Sequence, residues 1–520
     1  MIFIDKLSVF APTVRYSHFR DTPKSGPRAM DFWSVERMPR QLAAKRGAFK
    51  QIAFPHRKTP IHNKKEHTLM RKNDLTQGPE WRVILIFALP IMLGSLLQQL
   101  YSTVDGIIVG NFVNSTALAA MGSCMSYTTL FVFVAMGMGN GSSVVVSQLF
   151  GARRYEEMRR TASTILIMLF ALGAFFTVFC IATAMPASRY VLKIEDERIL
   201  RYCVSYISVY SIGLIFQFIY NAVAAILRAV GDSRASLYFL LVSTVLNVVL
   251  DLLFVAVLPW GVAGAAAATV IAQVVCMVIS LRYMFRRYPE FRFGKGELVF
   301  DTEKFRLCMR MAIPTTVQHL VISSGHLVLQ RLINSFGAVT MAACTVGSRY
   351  DHYASIPIMA ISQAVSAFAG QNTGAGRMDR VKRGLVRAVA MDLVMVAVLC
   401  VGLYTLAEPM SLLFGISGEE VTRAVQYLRF MAFAYPIFAL YIPFNGMYQG
   451  VGAPLAATAA SLIAIGVRTA AAYIMVYGMG AGYEACWTNL IYGWSAALLW
   501  VIVYFLSGRW KNKSLVKKGA

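Results

Sequence analysis

Windows of apolar residues long enough to cross a lipid bilayer recur along this chain from residue 82 to residue 506. A transmembrane helix needs about 20 consecutive, mainly apolar residues, because the hydrocarbon core is about 30 Å thick. Apolar residues make up 57% of the 520 residues and charged residues only 15%, a composition that excludes an ordinary soluble protein. The sequence therefore predicts an all-α integral membrane protein. We assign twelve transmembrane helices, at residues 82–110, 116–148, 160–186, 203–228, 234–258, 261–284, 306–334, 338–370, 384–407, 423–449, 454–478 and 481–506.

The basic residues are distributed unevenly between the connections of these helices. The formal net charge of +24 would by itself suit a nucleic-acid-binding protein. Beyond residue 70, however, Lys and Arg concentrate in alternate connections and in the C-terminal tail, whereas the turns near 111–115 and 335–337 have none. Cytoplasmic loops of membrane proteins carry this excess of positive charge. We therefore expect no nucleic-acid partner and a multi-pass protein of the cell (plasma) membrane, with both termini in the cytoplasm.

Residues 1–69 differ from the rest of the chain. They contain 14 of the 50 Lys and Arg and four of the seven His, without an apolar stripe or a spanning segment. No apolar segment follows a basic start, so a signal peptide is not expected. We predict a disordered, basic extension at 1–75, with Met70 as a natural start. The remaining predicted regions are an N-lobe with helices one to six at 76–290, a cytoplasmic linker at 291–305, a C-lobe with helices seven to twelve at 306–508, and a basic cytoplasmic tail at 509–520.

The two halves of the helical region repeat each other. Residues 87–94 (FALPIMLG) align with 311–318 (MAIPTTVQ), 147–154 (SQLFGARR) with 370–377 (GQNTGAGR), and 226–233 (ILRAVGDS) with 447–454 (MYQGVGAP). The spacing between partners stays nearly constant along the chain. Six crossings return the chain to its starting side, so the halves are parallel, and such repeats enclose a central cavity with alternating access. The aligned prolines Pro90 and Pro314 each remove a helical hydrogen bond, which predicts a bending point in each half.

Several motifs in combination resemble the multidrug and toxic compound extrusion (MATE) family. They are ALP in the first span, QQLYSTVD at 98–105, the VSQLFGA turn, RAVGDS, NVVLD, and GVAGAAAAT at 261–269. The resemblance covers about residues 75–508. It implies two six-helix lobes that form a V, and export of organic, often cationic, compounds driven by inward movement of Na⁺ or H⁺. It implies no cofactor besides this coupling ion, and we expect a monomer surrounded by membrane lipid.

The site residues that the resemblance implies are those of the branch related to DinF. They are a cation site at Asp105, Asn247, Asp251 and Thr269, a substrate cavity lined by Gln98 and Asn221, and a bending proline at Pro90.

The depth of the polar residues in the membrane leads to the same cation site. At 1.5 Å per residue, Asp105 lies about 8 Å from the outer end of its span, and Asp251 and Thr269 about 10 and 12 Å from theirs. Asn247 and Asp251 are four residues apart and share one helix face. Carboxylate, amide and hydroxyl oxygens suit a hard cation such as Na⁺, whereas two close carboxylates favour a proton instead. The choice between Na⁺ and H⁺ therefore stays open.

A structural role for Asp251 is the alternative. The carboxylate would then pair with an arginine in an apolar span, and the candidates Arg331, Arg349 and Arg468 all belong to the second half of the chain. An unpaired charge is costly within a membrane, so such a pairing would explain the carboxylate without a coupling ion.

Other intramembrane polar groups are less informative. Arg349, Asp351 and His352 suggest either proton coupling in the C-lobe or an internal Arg–Asp pair. His319 and His326 are seven residues apart, which favours a packed or cavity-facing stripe over a metal site. The eight cysteines have no metal or redox spacing and are expected to be buried apolar residues.

Two other functions compete with an exporter. A flippase for lipid-linked precursors, or another small-molecule carrier of related architecture, would need a basic central cavity that holds pyrophosphate. A membrane-embedded enzyme would need a catalytic constellation, and the sequence contains neither an HExxH motif nor a plausible Ser–His pair. We therefore predict a transporter rather than an enzyme.

Overall fold

Twelve long helices dominate the part of the chain that the computed structural model describes, residues 74–113, 115–294 and 296–516. They are α1 (Glu80–Phe112), α2 (Ser115–Gly151), α3 (Tyr155–Pro186), α4 (Glu197–Ala229), α5 (Ser233–Asp251), α6 (Gly261–Arg287), α7 (Thr302–Asn334), α8 (Gly337–Gly374), α9 (Met378–Thr405), α10 (Glu419–Val451), α11 (Pro454–Tyr473) and α12 (Ala485–Leu506). Eleven of them are long and apolar enough to cross a membrane. The predicted all-α membrane fold is confirmed, and each predicted span falls largely on one helix.

Helix α7 is the one of these twelve helices that is long enough to cross a membrane but less apolar than the other eleven. It is 33 residues long, but its first turns carry Lys304, Arg306 and Arg310, and its middle carries Gln318 and His319. Its apolar counterpart α1 has the same length. The low apolarity of α7 thus reflects polar residues along the helix rather than a short span.

Aspartates begin three of the helices. Asp196 accepts hydrogen bonds from the backbone N–H of Arg198 (2.7 Å) and of Ile199 (3.2 Å) at the start of α4. These bonds favour the ionised carboxylate and hold the pKa of Asp196 below its ordinary value. Asp232 and Asp301 accept equivalent backbone bonds at the starts of α5 and α7. Each cap satisfies N–H groups that the helix itself leaves unpaired.

The internal repeat is visible in the lengths of the helices. Helices α1, α2, α4 and α5 contain 33, 37, 33 and 19 residues, and their counterparts α7, α8, α10 and α11 contain 33, 38, 33 and 20. The aligned Gly231 and Gly452 follow α4 and α10 with φ angles of +90° and +94°, a backbone conformation that favours glycine. Even the π-helical turns Leu252–Val257 and Ile474–Gly478 follow corresponding helices. The two halves therefore share one local fold.

The halves are held together at one side of the helical body, where Asp74, the linker and Val516 also lie; we call it the terminal side. Gln148 Nε2 donates to the carbonyl of Gly450 at 2.9 Å, and its repeat partner Gln371 donates to the carbonyl of Ala229 at 2.8 Å. Ala229 and Gly450 are themselves aligned, because each lies two residues before the glycine that follows its helix. The two bonds are thus copies of one contact, made once in each direction.

The same contact depends on two glycines. A Cβ atom on Gly151 would collide with the backbone of Gln371, and a Cβ atom on Gly374 would collide with the backbone of Gln148. The lack of a side chain at both positions lets the ends of α2 and α8 approach closely. The aligned glycines that revealed the repeat therefore lie at the junction of the halves.

The segments before α1 and after α12 complete the junction. The N–H of Leu75 donates to Gln371 Oε1 at 2.9 Å, and the N–H of Leu515 donates to Gln148 Oε1 at 2.8 Å. Leu75 packs in the core of the C-lobe and Leu515 against the core of the N-lobe. Each outer segment therefore crosses to the opposite half and caps its glutamine.

The predicted domain boundaries fall close to structural transitions. Helix α7 begins at Thr302, within the predicted linker. Most of the predicted extension at 1–75 lies outside the described residues, and its last two residues, Asp74 and Leu75, belong to the folded body. The predicted tail begins with a short 3₁₀-helix, Arg509–Asn512.

Candidate functional site

The predicted cation residues Asn247, Asp251 and Thr269 lie together inside the N-lobe. Asp251 is the last residue of α5, and Asn247 lies one turn earlier on the same face. The amide of Asn247 is oriented with its nitrogen towards Asp251, because only this orientation satisfies both of its polar atoms. The nitrogen then donates to Asp251 Oδ2 at 2.8 Å, and the oxygen accepts from the N–H of Thr269 at 3.1 Å. Asn247 therefore connects α5 to α6.

The two carboxylates of the site are buried and incompletely hydrogen-bonded. Asp105 in α1 is 6% exposed and Asp251 is fully buried. In each residue Oδ1 has no hydrogen-bond partner among the residues that the structure describes. The carboxylates also interact electrostatically with each other, and two negative charges repel. A bound cation or proton would supply the missing partner and relieve this repulsion.

The backbone changes its winding at Asp251. The α-helix ends there, and the six residues Leu252–Val257 form a π-helical turn. Such turns within long helices are frequent at functional sites, because they redirect the neighbouring side chains. In the C-lobe the corresponding π-helical turn follows Tyr473, which has no charge to bind a cation.

Tyrosines enclose the carboxylates, and the sequence-based prediction missed them. Tyr101 OH lies 3.2 Å from Thr269 Oγ1, which itself donates to the carbonyl of Ala265 and so accepts from the tyrosine. The rings of Tyr206 and Tyr210 stack at 5.7 Å, and both interact electrostatically with Asp105. A sequence signal existed for Tyr101, which precedes Asp105 by four residues and shares its helix face. The α4 tyrosines had no such signal, because only the fold brings Tyr206 and Tyr210 close enough to interact with Asp105 of α1.

Asp251 has no arginine partner in the described part of the chain, so the alternative structural role is not supported. Of the three candidate arginines, Arg468 donates instead to Asn489 Oδ1 at 2.6 Å within the C-lobe. Arg468 aligns with Asn247 in the register that pairs Gly452 with Gly231. A positive charge thus takes the C-lobe position of Asn247, and it opposes cation binding there.

The predicted cavity residues Gln98 and Asn221 are placed differently. Gln98 lines a cavity of about 100 Å³ inside the N-lobe, together with Tyr101, Asn247 and Thr269. Asn221 is not among its lining residues; its amide donates to the carbonyl of Gln217 in the same helix at 2.9 Å. We call this cavity the N-lobe pocket. Two of the four predicted cation residues, Asn247 and Thr269, line it, whereas Asp105 and Asp251 do not.

The predicted bending prolines lie inside continuous helices. Pro90 is buried in α1, the helix that also carries Asp105. Pro314 lies in α7, and its carbonyl accepts a hydrogen bond from Thr458 Oγ1 at 2.9 Å. Both positions lack the N–H that an α-helix uses there.

A second cavity of about 190 Å³ lies between the halves, on the inner side of the glutamine junction. We call it the interlobe cavity. Its lining residues include Asn140, Ser143 and Arg228 of the N-lobe and Gln318, His319, Ser362, Asn445 and Gln449 of the C-lobe. The imidazole of His319 stacks on Phe133 at 6.0 Å, which agrees with the predicted cavity-facing stripe.

The polar C-lobe residues do not form a copy of the cation site. Asp351 accepts a hydrogen bond from Tyr435 OH at 2.5 Å and makes no salt bridge with Arg349 in the described region. Asp392, which the sequence-based prediction missed, is fully buried in α9, and neither of its carboxylate oxygens has a partner within the described residues. It stands as a single acid in an apolar run, without a neighbouring motif that would have marked it.

These features define a class of protein: a multi-pass helical membrane transporter with two repeated halves and polar cavities within and between them. The MatE family model matches residues 90–253 and 314–474, once in each half and over more than half of the chain. The chain belongs to the MatE family. The family resemblance predicted from the sequence is confirmed, whereas the DinF-related branch stays a prediction.

Relatives in the family are similar over most of their length. The chain is 28% identical to the probable multidrug resistance protein YpnP of Bacillus subtilis over 455 residues, which cover 86% of this chain and 99% of YpnP. It is 24% identical to the multidrug export protein MepA of Staphylococcus aureus over 446 residues, 83% of this chain and 95% of MepA.

Solved structures share the fold. One is an outward-facing multidrug resistance MATE family transporter of the MOP superfamily, with a TM-score of 0.77 and 23% identity over 86% of this chain and 97% of that chain. Another is a MATE protein in a straight conformation, with a TM-score of 0.77 and 23% identity over 84% of this chain and 97% of that chain. At this identity the likeness concerns the fold alone.

Proposed function

We propose that this protein is a secondary active multidrug exporter, in which inward movement of Na⁺ or H⁺ drives outward movement of organic compounds by alternating access. The observation that carries the proposal is the buried pair Asp105 and Asp251, each with a carboxylate oxygen that lacks a partner in the described region. Buried ionisable residues in membrane proteins are costly and mark ion or proton pathways. The names of the relatives YpnP and MepA support drugs as cargo.

The proposed coupling uses the helices that meet at the cation site. A bound cation or proton neutralises negative charge between α1, which carries Asp105, and α5, which carries Asp251. Helix α1 also packs against α8 and α9 of the C-lobe. A change in the position of α1 therefore reaches the contacts between the halves. Because the site must fill and empty in each cycle, the two conformations must bind the ion with different affinities.

Organic cations as cargo are supported by the tyrosines Tyr101 and Tyr220 that line the N-lobe pocket and by the buried Asp251 that bonds to its lining residue Asn247, since negative charge and aromatic rings both attract cations. We further propose that the protein is a monomer in the plasma membrane. Both termini are proposed to lie in the cytoplasm, because Lys and Arg concentrate on the terminal side. Activity of a cytoplasm-dependent reporter fused after Ala520 tests this orientation; an inactive fusion on a transport-competent protein contradicts it.

Transport in liposomes tests the coupling. The purified protein is reconstituted, a fluorescent organic cation is supplied, and a Na⁺ gradient and a pH gradient are imposed separately. We expect one gradient to drive movement of the dye against its concentration, and the effective gradient identifies the coupling ion. Identical dye movement with either gradient and without any gradient overturns the proposal.

One observation favours the second candidate, a flippase for lipid-linked precursors or a related small-molecule carrier. The interlobe cavity contains Arg228 and His319 but no Asp or Glu among its lining residues. A basic central cavity was the feature expected of such a carrier. Transfer of a fluorescent lipid phosphate between leaflets, without gradient-driven dye export, would favour this candidate.

A further inference from the structure

The interlobe cavity has an unbalanced charge. Arg228 is the one residue with a permanent charge among those that line it, and the other polar lining groups are hydroxyls, amides and the His319 imidazole. The N-lobe pocket differs, because no charged residue lines it, and its lining residue Asn247 bonds to the buried Asp251 behind it. The two cavities therefore differ in charge.

Arg228 lacks a carboxylate partner in the described part of the chain. Its Nη2 donates to Asn140 Oδ1 at 3.0 Å, a neutral acceptor, and no salt bridge between described residues involves it. A half-buried guanidinium carries five N–H donors in a planar fork that matches the oxygens of a carboxylate or phosphate. One bond to an amide leaves most of this capacity unused.

The repeat places a neutral residue at the position that corresponds to Arg228 in the other half. Gln449 occupies the C-lobe position of Arg228, since each immediately precedes an aligned junction residue, Gly450 or Ala229. Gln449 donates to Gln318 Oε1 at 3.0 Å. A neutral glutamine thus suffices at the equivalent point of the junction. The charge on the N-lobe side calls for a separate explanation.

We propose that the interlobe cavity binds an oxyanion, a carboxylate or phosphate group, against Arg228. This inference rests on the proposed function and deepens it, because the cargo then includes compounds with a negative group, zwitterions among them. Among the lining residues, the Gln449 amide has a second N–H besides the one that bonds Gln318, and it is a neutral donor for another oxygen. The hydroxyls of Ser143 and Ser362 donate to the carbonyls of Asn140 and Ile442, and each can turn to an oxyanion by giving up that bond. Charge-assisted bonds of this kind are about twice as strong as neutral ones.

A matched pair of dyes tests the proposal in detergent, without any gradient. A rhodamine with a free carboxylate and its methyl ester differ in the negative charge and in one methyl group. We expect the wild-type protein to bind the acid more tightly than the ester, and Arg228→Gln to reduce this preference about tenfold. Arg228→Lys, which keeps the charge but not the fork, should retain part of the preference.

A second arm identifies the source of the oxyanion. Dihexanoyl phosphatidic acid and dihexanoyl glycerol are each added as competitors of the bound dye, once with the wild-type protein and once with Arg228→Gln. Stronger competition by the phosphate lipid that is lost in Arg228→Gln assigns the site to a lipid headgroup, and a preference confined to the rhodamine acid assigns it to soluble cargo. Either result supports the proposal.

Equal binding of both members of both pairs by the wild-type protein overturns the proposal even if Arg228→Gln fails to fold. A preference for the charged member that persists unchanged in a folded Arg228→Gln protein overturns it as well. Because binding is measured without a gradient, a loss of gradient-driven export leaves this result interpretable and affects only the proposed function.

Discussion

At the scale of single residues, the proposed cation site depends on two carboxylate oxygens that the protein leaves without partners among the described residues. Asn247 satisfies one oxygen of Asp251 and holds α6 in place through Thr269. In the proposed coupling, the unpartnered Oδ1 atoms of Asp105 and Asp251 bind the ion in one part of the cycle and release it in another. A fully satisfied pair would stabilise the fold but would give a gradient nothing to act on.

Replacing either carboxylate tests this arrangement. We expect Asp251→Asn and Asp105→Asn to express well, because an amide of similar shape leaves no buried charge behind. Both variants should still bind a dye, whereas gradient-driven export should fall about tenfold or more, since no charge remains to change with the bound ion. Export and dye binding are measured on the same reconstituted samples.

Asp392→Asn is the matched control, because this aspartate is equally buried but lies outside the cation site. Export near the wild-type rate in both cation-site variants would refute the site. The coupling role would then move to the C-lobe, where Asp351 and Asp392 are the remaining candidates.

At the scale of helices, the sequence predicted where the helices lie and that they repeat, but it did not predict which side chains meet across helices. The apolar windows predicted the spans, and the pairs Pro90–Pro314 and Gly231–Gly452 predicted the repeat, because these are local properties of the chain. The tyrosines around Asp105 were missed, since α4 and α1 are distant in sequence. The cavity role of Asn221 stays a prediction: the family position suggested it, and the structure shows that the amide nitrogen bonds to the carbonyl of Gln217 in its own helix. Side-chain direction depends on packing that sequence spacing does not contain.

The proline of α1 is expected to matter for the cycle. Alanine at position 90 restores a helical N–H and raises helix stability by up to about 3 kcal/mol, which favours a straight helix over a bent one. We expect Pro90→Ala to reduce export to less than half while membrane expression stays unchanged. Pro314→Ala should have the smaller effect on export, because α7 carries no residue of the cation site. An unimpaired Pro90→Ala transporter would leave the proline a packing feature.

The two glutamines of the junction should control access from the terminal side. Gln371→Ala leaves the carbonyl of Ala229 and the N–H of Leu75 without their partner, which weakens the closed junction by about 1–3 kcal/mol. We expect a cysteine introduced at Ser143, in the interlobe cavity, to react several times faster with a membrane-impermeant maleimide added from that side. Gln148→Ala should raise the labelling rate in the same way, because Gln148 makes the corresponding bonds to Gly450 and Leu515.

Gln363→Ala provides the control for this measurement. Gln363 lies on α8 with Gln371 and lines the interlobe cavity, but no hydrogen bond from it to the other half is recorded between described residues. Equal labelling rates in all three alanine variants would show that the junction does not limit access.

At the scale of the whole molecule, each half is closed by a segment that comes from the other end of the fold. Leu75 precedes the N-lobe but caps Gln371 of the C-lobe, and Leu515 follows the C-lobe but caps Gln148 of the N-lobe. The N-terminal segment adds further bonds, from Arg377 to the carbonyl of Thr76 at 2.8 Å and from Arg380 to the carbonyl of Gly78 at 2.6 Å. Each terminal segment therefore bonds to the half at the other end of the chain, and the two segments together link the halves. We call Leu75–Gly78 the N-terminal strap and the segment around Leu515 the C-terminal strap.

Two truncations distinguish the role of the N-terminal strap from that of the residues before it. A protein that starts at Met70 keeps every contact of Leu75, Thr76 and Gly78, so we expect normal insertion and normal export. A protein in which an initiating Met is placed directly before Glu80 loses those contacts together. It should still insert, because α1 is intact, but maleimide should reach a cysteine at position 143 from the terminal side several times faster, and coupled export should fall. Loss of folding or activity in the Met70 protein would mean that residues 1–69 take part in the transporter. Equal labelling and export in the two truncated proteins would mean that the N-terminal strap does not hold the halves together.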